Sequence, residues 1–362
     1  MRNYRITAIP GDGIGMEVMS EAERVLRSIE HLHGGIRFDV TKLPWGCRYY
    51  MEHHHMMPPN GMTVLSDCEA ILLGAIGYPG VPDHVSLRGL LLPIRQEFDQ
   101  YVNLRPIRYL DGMPSPLAIR EESKIDFTVI RENTEGEYCG IGRLDHRGTE
   151  RETAIQEARF TRNGTDRIIR YAFEYACNHG RARLVSATKS NALNYSMVFW
   201  DQIFEEIRGN YPEIDSRSVH VDALAGLFIL KPEMFEVVVA SNLFGDILTD
   251  LGSAILGSIG ISPSANINPE KRWPSMFEPV HGSAPDIAGQ GIANPIGMIW
   301  STVLMLDHLG LKNEGNALFR AMESVIGDRQ LRTPDLGGAC TTAEVTDAVI
   351  KLLGGPPTDK RR

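Results

Sequence analysis

The stretch from residue 235 to residue 257, FEVVVASNLFGDILTDLGSAILG, constrains the fold more than any other part of the chain. It opens on an apolar, β-branched run at 237–239, which is typical of a buried strand. Ser241 and Asn242 end that run and are good helix-capping residues. The residues that follow are apolar at intervals of three and four, which predicts a helix. A buried strand that leads directly into an amphipathic helix indicates an α/β protein.

Two aspartates, Asp246 and Asp250, lie four residues apart in this predicted helix. Their carboxylates therefore share one helix face, where like charges one turn apart are destabilising. A divalent cation removes that repulsion, and Mg²⁺ and Mn²⁺ both favour carboxylate oxygens. The alternative is a helix whose first half is rich in acids because the macrodipole favours them there. The stretch by itself leaves both interpretations open.

Length and composition limit the class of protein. A chain of 362 residues favours two domains, and its 35 glycines fit an α/β protein with many tight turns. The net charge of −9 argues against a nucleic-acid partner. Five scattered cysteines without a CxxC pair fit free thiols in a reducing compartment. With no signal segment and no run of membrane-spanning length, we expect a cytoplasmic protein without a membrane partner.

Strand and helix patterns alternate along the chain, which predicts an α/β fold of largely parallel sheets flanked by helices. Functional residues in such sheets collect where strands end. Lys189, Asp222 and Asn242 each follow a predicted strand, at 183–187, 218–221 and 237–239. Asp246 and Asp250 come directly afterwards. This shared placement predicts a site at one edge of the sheet.

Two loops rich in glycine and small residues are candidates for close contact with a ligand. The first, Pro10-Gly11-Asp12-Gly13-Ile14-Gly15, follows the first strand, but its glycine spacing does not fit the Rossmann fingerprint. The second runs from residue 278 to residue 289 and is followed by Asn294. Small residues there allow backbone N–H groups to approach a ligand. The alternative for the second loop is an irregular structural turn.

Three arginines, Arg95, Arg105 and Arg131, lie at the ends of predicted elements. A guanidinium binds a carboxylate through two parallel hydrogen bonds, so the three together would suit a dicarboxylate ligand. Each arginine alone is better explained as a surface ion-pair partner. The sequence does not establish that the three side chains meet.

Two further segments have no assigned chemistry. His53-His54-His55 cannot converge on one metal ion from regular structure, and we expect a solvated loop there. Residues 139–163 are charged and rich in turns, which predicts an extended arm or a hairpin that contacts another subunit.

Taken together, these motifs resemble the β-decarboxylating dehydrogenases, the family of isopropylmalate and isocitrate dehydrogenases. The resemblance extends from residue 9 to residue 338. It is carried by Asn103-Leu104-Arg105-Pro106, Arg131-Glu132-Asn133-Thr134-Glu135-Gly136, Asn242-Leu243-Phe244-Gly245-Asp246-Ile247-Leu248-Thr249-Asp250 and Glu278-Pro279-Val280-His281-Gly282-Ser283-Ala284-Pro285-Asp286. The branch that acts on tartrate and D-malate is indicated by Val81-Pro82-Asp83-His84, Phe98-Asp99-Gln100-Tyr101-Val102-Asn103 and Trp273-Pro274-Ser275-Met276-Phe277.

The resemblance implies two α/β domains that differ from the standard Rossmann fold. Residues 1–100 and 258–362 would form a large cofactor-binding domain. Residues 101–257 would form a second domain with the substrate and metal site, the dimer interface and the protruding arm near 139–163. The resemblance also implies a homodimer whose active sites are shared between subunits.

The resemblance implies a role for each matching residue. Lys189 would be the general base and Tyr138 the general acid. Arg95, Arg105, Arg131 and Asn191 would bind a small dicarboxylate substrate. Asp246 and Asp250 would bind Mg²⁺ or Mn²⁺ together with the catalytic Asp222, and the partner subunit would supply Asp222 and Lys189. The residues implied in cofactor binding are Glu278, His281, Gly282, Ser283, Ala284, Asp286, Ile287 and Asn294.

The expected activity is an NAD- and metal-dependent oxidation of a 2-hydroxy dicarboxylate, tartrate, D-malate or both, followed by β-decarboxylation. NAD is expected over NADP because an aspartate at 286 would repel a 2′-phosphate and accept a hydrogen bond from a 2′-hydroxyl. A requirement for a monovalent cation such as K⁺ stays open.

Three alternatives remain. Leu90, Leu91 and Leu92 could face an isopropyl group, which would make the substrate 3-isopropylmalate, or they could belong to the core. Asp83 and His84 add polar groups that an isopropyl pocket would not favour. A dicarboxylate-binding protein without catalysis would not need Lys189 or Tyr138. A structural scaffold would not need so many charged groups at strand ends.

Overall fold

The computed structural model describes residues 2–117 and 125–355. The chain divides into two compact units. The first consists of Met1–Gln100, Tyr109–Ala118 and Ser253–Arg362, and the second of Tyr101–Arg108 and Ile119–Gly252. No helix among the described residues is long and apolar enough to cross a bilayer.

The described residues contain strands of four to ten residues. In chain order they are β1 (Arg2–Gly11), β2 (Ile36–Lys42), β3 (Ala70–Ala75), β4 (Val102–Arg108), β5 (Asp126–Glu132), β6 (Gly142–Asp145), β7 (Thr153–Gln156), β8 (Arg183–Thr188), β9 (Asp215–His220), β10 (Val237–Ala240), β11 (Pro263–Ile267) and β12 (Ser275–Pro279).

Helices separate most of these strands. They are α1 (Gly15–His33), α2 (Cys47–His53), α3 (Gly61–Ser66), α4 (Asp83–Ser86), α5 (Leu92–Glu97), α6 (Arg162–Asn178), α7 (Ser196–Arg208), α8 (Val221–Leu230), α9 (Asn242–Ile255), α10 (Ile296–His308), α11 (Lys312–Gly327) and α12 (Thr342–Leu353).

In the first unit, five strands lie in the order β2-β1-β3-β12-β11. The pairings are parallel except for β11 with β12, which is antiparallel. All six residues of β3 are buried, as expected for a central strand covered on both faces. Leu90, Ile94 and Phe98 pack with Ile9 and Leu73 into the core of this unit.

In the second unit, the order is β4-β5-β10-β8-β9. Only β4 with β5 is antiparallel, and the other three pairings are parallel. The carboxyl ends of β10, β8 and β9 therefore lie along one edge of the sheet. A separate antiparallel pair, β6 with β7, lies in the region for which the sequence predicted an arm or a hairpin. The predicted fold class, α/β with largely parallel sheets, is confirmed.

Some details differ from the sequence-based predictions. The strand predicted at 218–221 ends at His220, and Asp222 lies in the first turn of α8, where the helix dipole favours an acid. The solvated loop predicted at His53-His54-His55 is wrong in part, because His53 ends α2, although all three rings are exposed. The sequence analysis did not identify α11.

The helical segment that holds the leucine run at 90–92 is irregular. It starts with α4, continues through a π-helical turn at Leu87–Leu91 and ends with α5. A π turn adds one residue to the helix repeat, so it rotates every later side chain around the axis. The hydrophobic spacing of the sequence does not show this insertion.

Candidate active site

Five residues of the second unit, Arg105, Arg131, Tyr138, Asp246 and Asp250, form what we call the arginine–aspartate cluster. Asp246 and Asp250 lie one turn apart on α9, which begins directly after β10. Arg105 and Arg131 lie on the adjacent strands β4 and β5. Tyr138 follows β5 in the chain. The fold thus brings together three segments that are far apart in sequence.

Arg131 is the most deeply buried member of the cluster, with 2% of the residue exposed. Its guanidinium contacts the Asp246 carboxylate and donates from Nε and Nη2 to Asn242 Oδ1 at 3.1 and 2.7 Å. A Cβ at Gly245 would lie 2.5 Å from Arg131 Cγ. Only glycine at 245 therefore allows α9 to lie directly against this side chain.

Arg105 and Tyr138 hold the same carboxylate from other directions. Arg105 Nη1 donates to Thr249 Oγ1 at 2.6 Å and lies 3.5 Å from Asp246 Oδ1. The Tyr138 hydroxyl donates to Asp246 Oδ2 at 2.9 Å. Asp246 is thus balanced by two guanidinium groups and a phenol, which offsets the cost of removing it from water.

Asp250 has a different environment from Asp246. Among the described residues, no side chain or backbone group donates a hydrogen bond to it. Its residue is exposed overall, yet neighbouring atoms partly desolvate the carboxylate. This desolvation raises the pKa of Asp250 and Asp246 adds to the effect, while Arg105 and Arg131 oppose it. A carboxylate without donors, one turn from a second carboxylate, has the character of a hard divalent-cation ligand.

A second group of charges is the pair formed by Lys189 and Asp222. Lys189 follows β8, and its Nζ donates to Asp222 Oδ1 at 2.7 Å. The Asp222 side chain is 66% exposed and that of Lys189 27%. The hydrogen bond from Lys189 lowers the pKa of Asp222. Asn191 is exposed in the turn after Lys189.

The three candidate metal ligands do not all meet within one chain. Residues 2–117 and 125–355 contain no group of three acidic, histidine or cysteine side chains able to hold a metal ion. Asp246 and Asp250 are neighbours on α9, while Asp222 lies on α8 beside Lys189. With these two carboxylates, Mg²⁺ would complete its octahedral shell with oxygens from water, from substrate or from a further carboxylate.

Arg95 belongs to the first unit and is 5% exposed. Its Nη2 donates to Glu278 Oε1 at 2.7 Å, and the same oxygen accepts from Asn266 Nδ2 at 2.8 Å. The Nε–H of Arg95 is buried without a hydrogen-bond partner among the described residues. The pair therefore balances the charges and leaves one donor of Arg95 unused.

The loop that follows Glu278 is fixed against the first glycine-rich loop. Ser283 O accepts from Ile14 N at 2.9 Å. Gly13 has a φ of +54°, and a Cβ there would lie 2.0 Å from Ser283 O. Ala284 also has a positive φ, 38°, and Gly282 is exposed. The two loops thus form one surface at the carboxyl end of β1.

The remainder of this loop is anchored at both ends. Glu17 accepts from Gly289 N and Gly291 N at 2.5 and 3.1 Å. Asn294 Nδ2 donates to Asp335 Oδ2 at 3.0 Å. Between these anchors, Ile287 is half-buried and Asp286 is exposed, with no cation paired to its carboxylate among the described residues.

His281 is buried in the same loop. Its Nδ1 lies 2.9 Å from Gly282 O, and its Nε2 has no hydrogen-bond partner among the described residues. Burial lowers the pKa of this imidazole. A neutral ring with an unused polar atom beside exposed backbone groups suits a polar ligand.

Two supporting residues had no role assigned to them from the sequence. Asn242 joins Arg131 to the loop before Tyr138, because its Nδ2 donates to Glu135 O at 3.0 Å. Thr249 accepts a hydrogen bond from Arg105 and lies between the two aspartates in the sequence. Both lie inside the motif 242–250, so their position in that motif was the available signal.

Comparisons with known proteins identify the family of the chain. A family model described as isocitrate/isopropylmalate dehydrogenase matches residues 5–349. The chain is 53% identical over 354 residues to a probable tartrate dehydrogenase/decarboxylase of Bacillus subtilis (strain 168), covering 98% of this chain and 99% of that protein. It is 52% identical over 360 residues to a D-malate dehydrogenase (decarboxylating) of Escherichia coli (strain K12), with 98% and 99% covered.

A solved structure of an isocitrate dehydrogenase also matches this chain. Isocitrate dehydrogenase from Methylococcus capsulatus matches with a TM-score of 0.87 and 33% identity, over 97% of this chain and 100% of that one. The resemblance seen in the sequence motifs is confirmed by the family match and by full-length relatives. The chain is therefore an enzyme of the isocitrate/isopropylmalate dehydrogenase family.

Proposed function

We propose that this enzyme oxidises a small 2-hydroxy dicarboxylate, tartrate, D-malate or both, with NAD and a divalent metal ion, and decarboxylates the resulting β-keto acid. The observation that carries the proposal is the convergence of Arg105, Arg131 and Tyr138 on Asp246, with Asp250 one turn along α9. The names of the relatives from Bacillus subtilis and Escherichia coli support the substrate class.

The metal site we propose consists of Asp246 and Asp250 of one subunit with Asp222 of the other. The first two carboxylates lie on one face of α9, and Asp250 accepts no hydrogen bond from the described residues. When bound, the ion acidifies the substrate hydroxyl and stabilises developing negative charge, while NAD accepts the hydride. Mg²⁺ and Mn²⁺ fit this donor set equally well.

The arginines would orient the substrate. Arg105 and Arg131 each have a guanidinium in the cluster, and we propose that Arg95 binds the substrate with them, as the family resemblance implies. A dicarboxylate bound beside two guanidinium groups presents its hydroxyl-bearing carbon in a fixed direction. Asn191, exposed in the turn after Lys189, would add a polar contact from the other subunit.

Two residues would move protons. Lys189 Nζ would accept the proton of the substrate 2-hydroxyl, for which it must be neutral, so burial in the assembled site or a nearby cation has to lower its pKa. The Tyr138 hydroxyl would give a proton to the C3 carbon once CO₂ has left. The Tyr138 O–H already points at the Asp246 carboxylate, 2.9 Å away, which places it beside the proposed metal site.

A homodimer with shared active sites follows from the same reasoning. The arginine–aspartate cluster has only two of the three proposed carboxylate ligands, and the Lys189–Asp222 pair is exposed. In a dimer that places the Lys189–Asp222 pair of each subunit against the arginine–aspartate cluster of the other, each site would have all three proposed carboxylate ligands.

We further propose that residues 1–100 and 258–362 form the cofactor domain and residues 101–257 the second domain. We also propose a cytoplasmic location.

The cofactor site we propose is the loop from Glu278 to Asn294. The unused Nε2 of buried His281 and the N–H groups around Gly282 are suited to a ribose and its phosphates. Asp286 would accept from the ribose 2′-hydroxyl and repel a 2′-phosphate, which favours NAD over NADP.

The leucine run bears on the alternative substrate, 3-isopropylmalate. Leu90 is 0% exposed and lies in the core of the first unit, and Leu91 packs against the same cluster. Leu92 is the one residue of the three that is not part of this core cluster. This argues for a substrate without an alkyl branch.

The test is a comparison of substrates in one assay. Formation of NADH is followed with Mn²⁺ and equal concentrations of D-malate, L-tartrate or 3-isopropylmalate, and NADP replaces NAD in a parallel series. Release of CO₂ is measured in the same reactions. Turnover of D-malate or tartrate with NAD supports the proposal, and a preference for isopropylmalate would overturn the proposed substrate assignment. Absence of turnover with all three would favour a binding protein.

A further inference from the structure

Two stretches of sequence that the proposed site does not use meet in the first unit. They are the branch motifs at 98–103 and 273–277. The rings of Phe98 and Trp273 stack with their centroids 5.7 Å apart. Gln100, which is completely buried, donates from Nε2 to Pro274 O at 2.8 Å. The first motif thus holds the second in place.

The turn before Trp273 is fixed by a single buried residue, Asn268. Its Oδ1 accepts from Arg272 N at 2.9 Å, and its Nδ2 donates to Asp99 O at 3.0 Å. Lys271 N donates to Asn268 O at 3.0 Å, and Lys271 has a φ of +54°. A non-glycine residue in this conformation is uncommon. The turn therefore presents Lys271, Arg272 and Trp273 in a defined arrangement on the surface.

These side chains line a cavity of about 260 Å³ at the amino ends of β1, β3 and β12. The glycine-rich loops lie at the opposite, carboxyl ends of β1 and β12. The cavity is thus separate from the loops that we assign to the cofactor. Its lining includes Arg2, Lys271, Arg272, Trp273, His308 and Cys68.

The charges around the cavity favour an anion. None of Arg2, Lys271 and Arg272 has a carboxylate within ion-pair distance among the described residues. One acid, Glu69, also lines the cavity; its carboxylate accepts from Arg5 N at 3.0 Å and offsets part of the positive charge. Glu270 lies 3.5 Å from Asn268 Nδ2 and is not part of the lining.

Two features reduce the positive charge without cancelling it. Lys271 Nζ donates to His308 O at 2.6 Å, so part of its charge offsets the negative end of α10. The guanidinium of Arg2 lies over the Tyr4 ring, 4.6 Å from its centroid. Arg272 has no side-chain hydrogen bond among the described residues, which leaves its whole guanidinium to a ligand.

The cavity also has an aromatic wall. Trp273 is 45% exposed, whereas Trp45, Trp200 and Trp300 are at most 4% exposed. One face of its indole stacks on Phe98, so a flat ligand can stack on the other. Burial and Lys271 lower the pKa of His308 to about 4, so this imidazole is neutral at ordinary pH and offers hydrogen bonds instead of charge.

We propose that this cavity is a second binding site, for a small organic anion that places a phosphate or carboxylate beside Arg272 and Lys271 and a flat group against Trp273. The three elements of the site are a turn fixed by a buried asparagine, three cations that form no ion pair with an acid of the described residues, and an exposed indole. The site is independent of the proposed activity and of the metal.

The test uses the metal-free enzyme labelled with 5-fluorotryptophan, observed by ¹⁹F NMR. The resonance of Trp273 is identified by its absence in Trp273→Phe. Phenyl phosphate and benzoate are titrated at constant ionic strength, with phenol as a ring without charge and inorganic phosphate as a charge without a ring. We expect both ring anions to shift the Trp273 resonance saturably, and the two single-feature molecules to bind more weakly.

Variants distinguish the site from unspecific charge effects. Arg272→Gln should weaken phenyl phosphate by about ten-fold or more, as expected for one charge-assisted contact. Arg329→Gln, which removes an exposed arginine outside the cavity, should leave binding unchanged. Equal binding by wild type and Arg272→Gln, or no shift of Trp273 in the wild type, would overturn the proposal. Neither result depends on turnover, so the proposed function is tested separately.

Discussion

The second unit contains two charge clusters that differ in almost every physical respect. In the arginine–aspartate cluster, Arg131 is 2% exposed and Asp246 is contacted by two guanidinium groups and a phenol. In the other, Lys189 and Asp222 form a single contact, and the Asp222 side chain is 66% exposed. The first cluster is therefore part of the fold of one chain, whereas the second contributes little to its stability.

This difference indicates how a charged site can be divided between folding and function. Burying a charge without a partner costs much free energy, so the buried charges of the arginine–aspartate cluster need partners within the same chain. The solvent-accessible Lys189–Asp222 pair needs no such partners and stays accessible to another molecule. The two clusters should therefore respond in opposite ways to substitution, one mainly in stability and the other mainly in activity.

The largest effect is expected for Lys189→Ala. Loss of the proposed general base should lower kcat by about 10²- to 10⁴-fold. The free energy of unfolding should stay close to that of the wild type, because Asp222 is exposed and solvent screens the ion pair. NADH formation and urea unfolding measure the two quantities, and Lys231→Ala, at an exposed lysine of the same unit, is the control. Retained activity would remove Lys189 as the base.

Arg131→Met should have the complementary effect. The change leaves Asp246 with one guanidinium fewer in a partly buried place, and we expect the free energy of unfolding to fall by about 3 kcal/mol. Arg181→Met breaks the more exposed pair with Asp126 and should cost less than about 1 kcal/mol. Urea unfolding of the metal-free protein compares them. Equal losses of unfolding free energy in the two variants would contradict a stabilising role of the arginine–aspartate cluster.

Asp250→Asn should separate metal binding from folding. Mn²⁺ affinity measured by calorimetry should fall by at least about ten-fold, the lower end of what changes around a metal site cost. Without metal, the same change should raise the free energy of unfolding by about 0.2–0.5 kcal/mol, since it removes a like charge one turn from Asp246. Asp39→Asn, an exposed aspartate of β2, is the control. Unchanged Mn²⁺ affinity would exclude Asp250 as a ligand.

The smallest effect concerns the pH dependence of the Lys189–Asp222 pair. Lys189 lowers the pKa of Asp222 below its ordinary value of 3.8. The pair therefore stabilises the fold above that value, and the contribution is lost as the pH falls through the folded-state pKa. In Lys189→Met, the pKa of Asp222 should return towards 3.8. Carbon-detected NMR titration of the metal-free protein measures it, and an unchanged pKa would contradict the contact.

Much of the fold could be predicted because burial and helix periodicity leave local signals. The run at 237–239 became β10, and the apolar spacing after it became α9. The capping box of Thr341 and Glu344 likewise marks the start of α12. In each case the decisive information lies within one or two turns of the chain, which is the range that sequence patterns cover.

Other features needed the three-dimensional structure. The antiparallel pairings of β4 with β5 and of β11 with β12 depend on how distant segments approach each other. The π turn at Leu87–Leu91 is a one-residue insertion in a helix whose composition is ordinary. Neither feature has a local sequence signal strong enough to predict it.

The same division applies to the site. The sequence by itself determined which residues could do the chemistry, because Asp246 and Asp250 must share a helix face and the glycine loops must lie at strand ends. Only the tertiary structure decided that Arg105, Arg131 and Tyr138 all contact or approach Asp246 while Lys189 pairs with Asp222. Convergence of side chains from separate strands is set by sheet order and packing, and these depend on contacts between residues far apart in the chain.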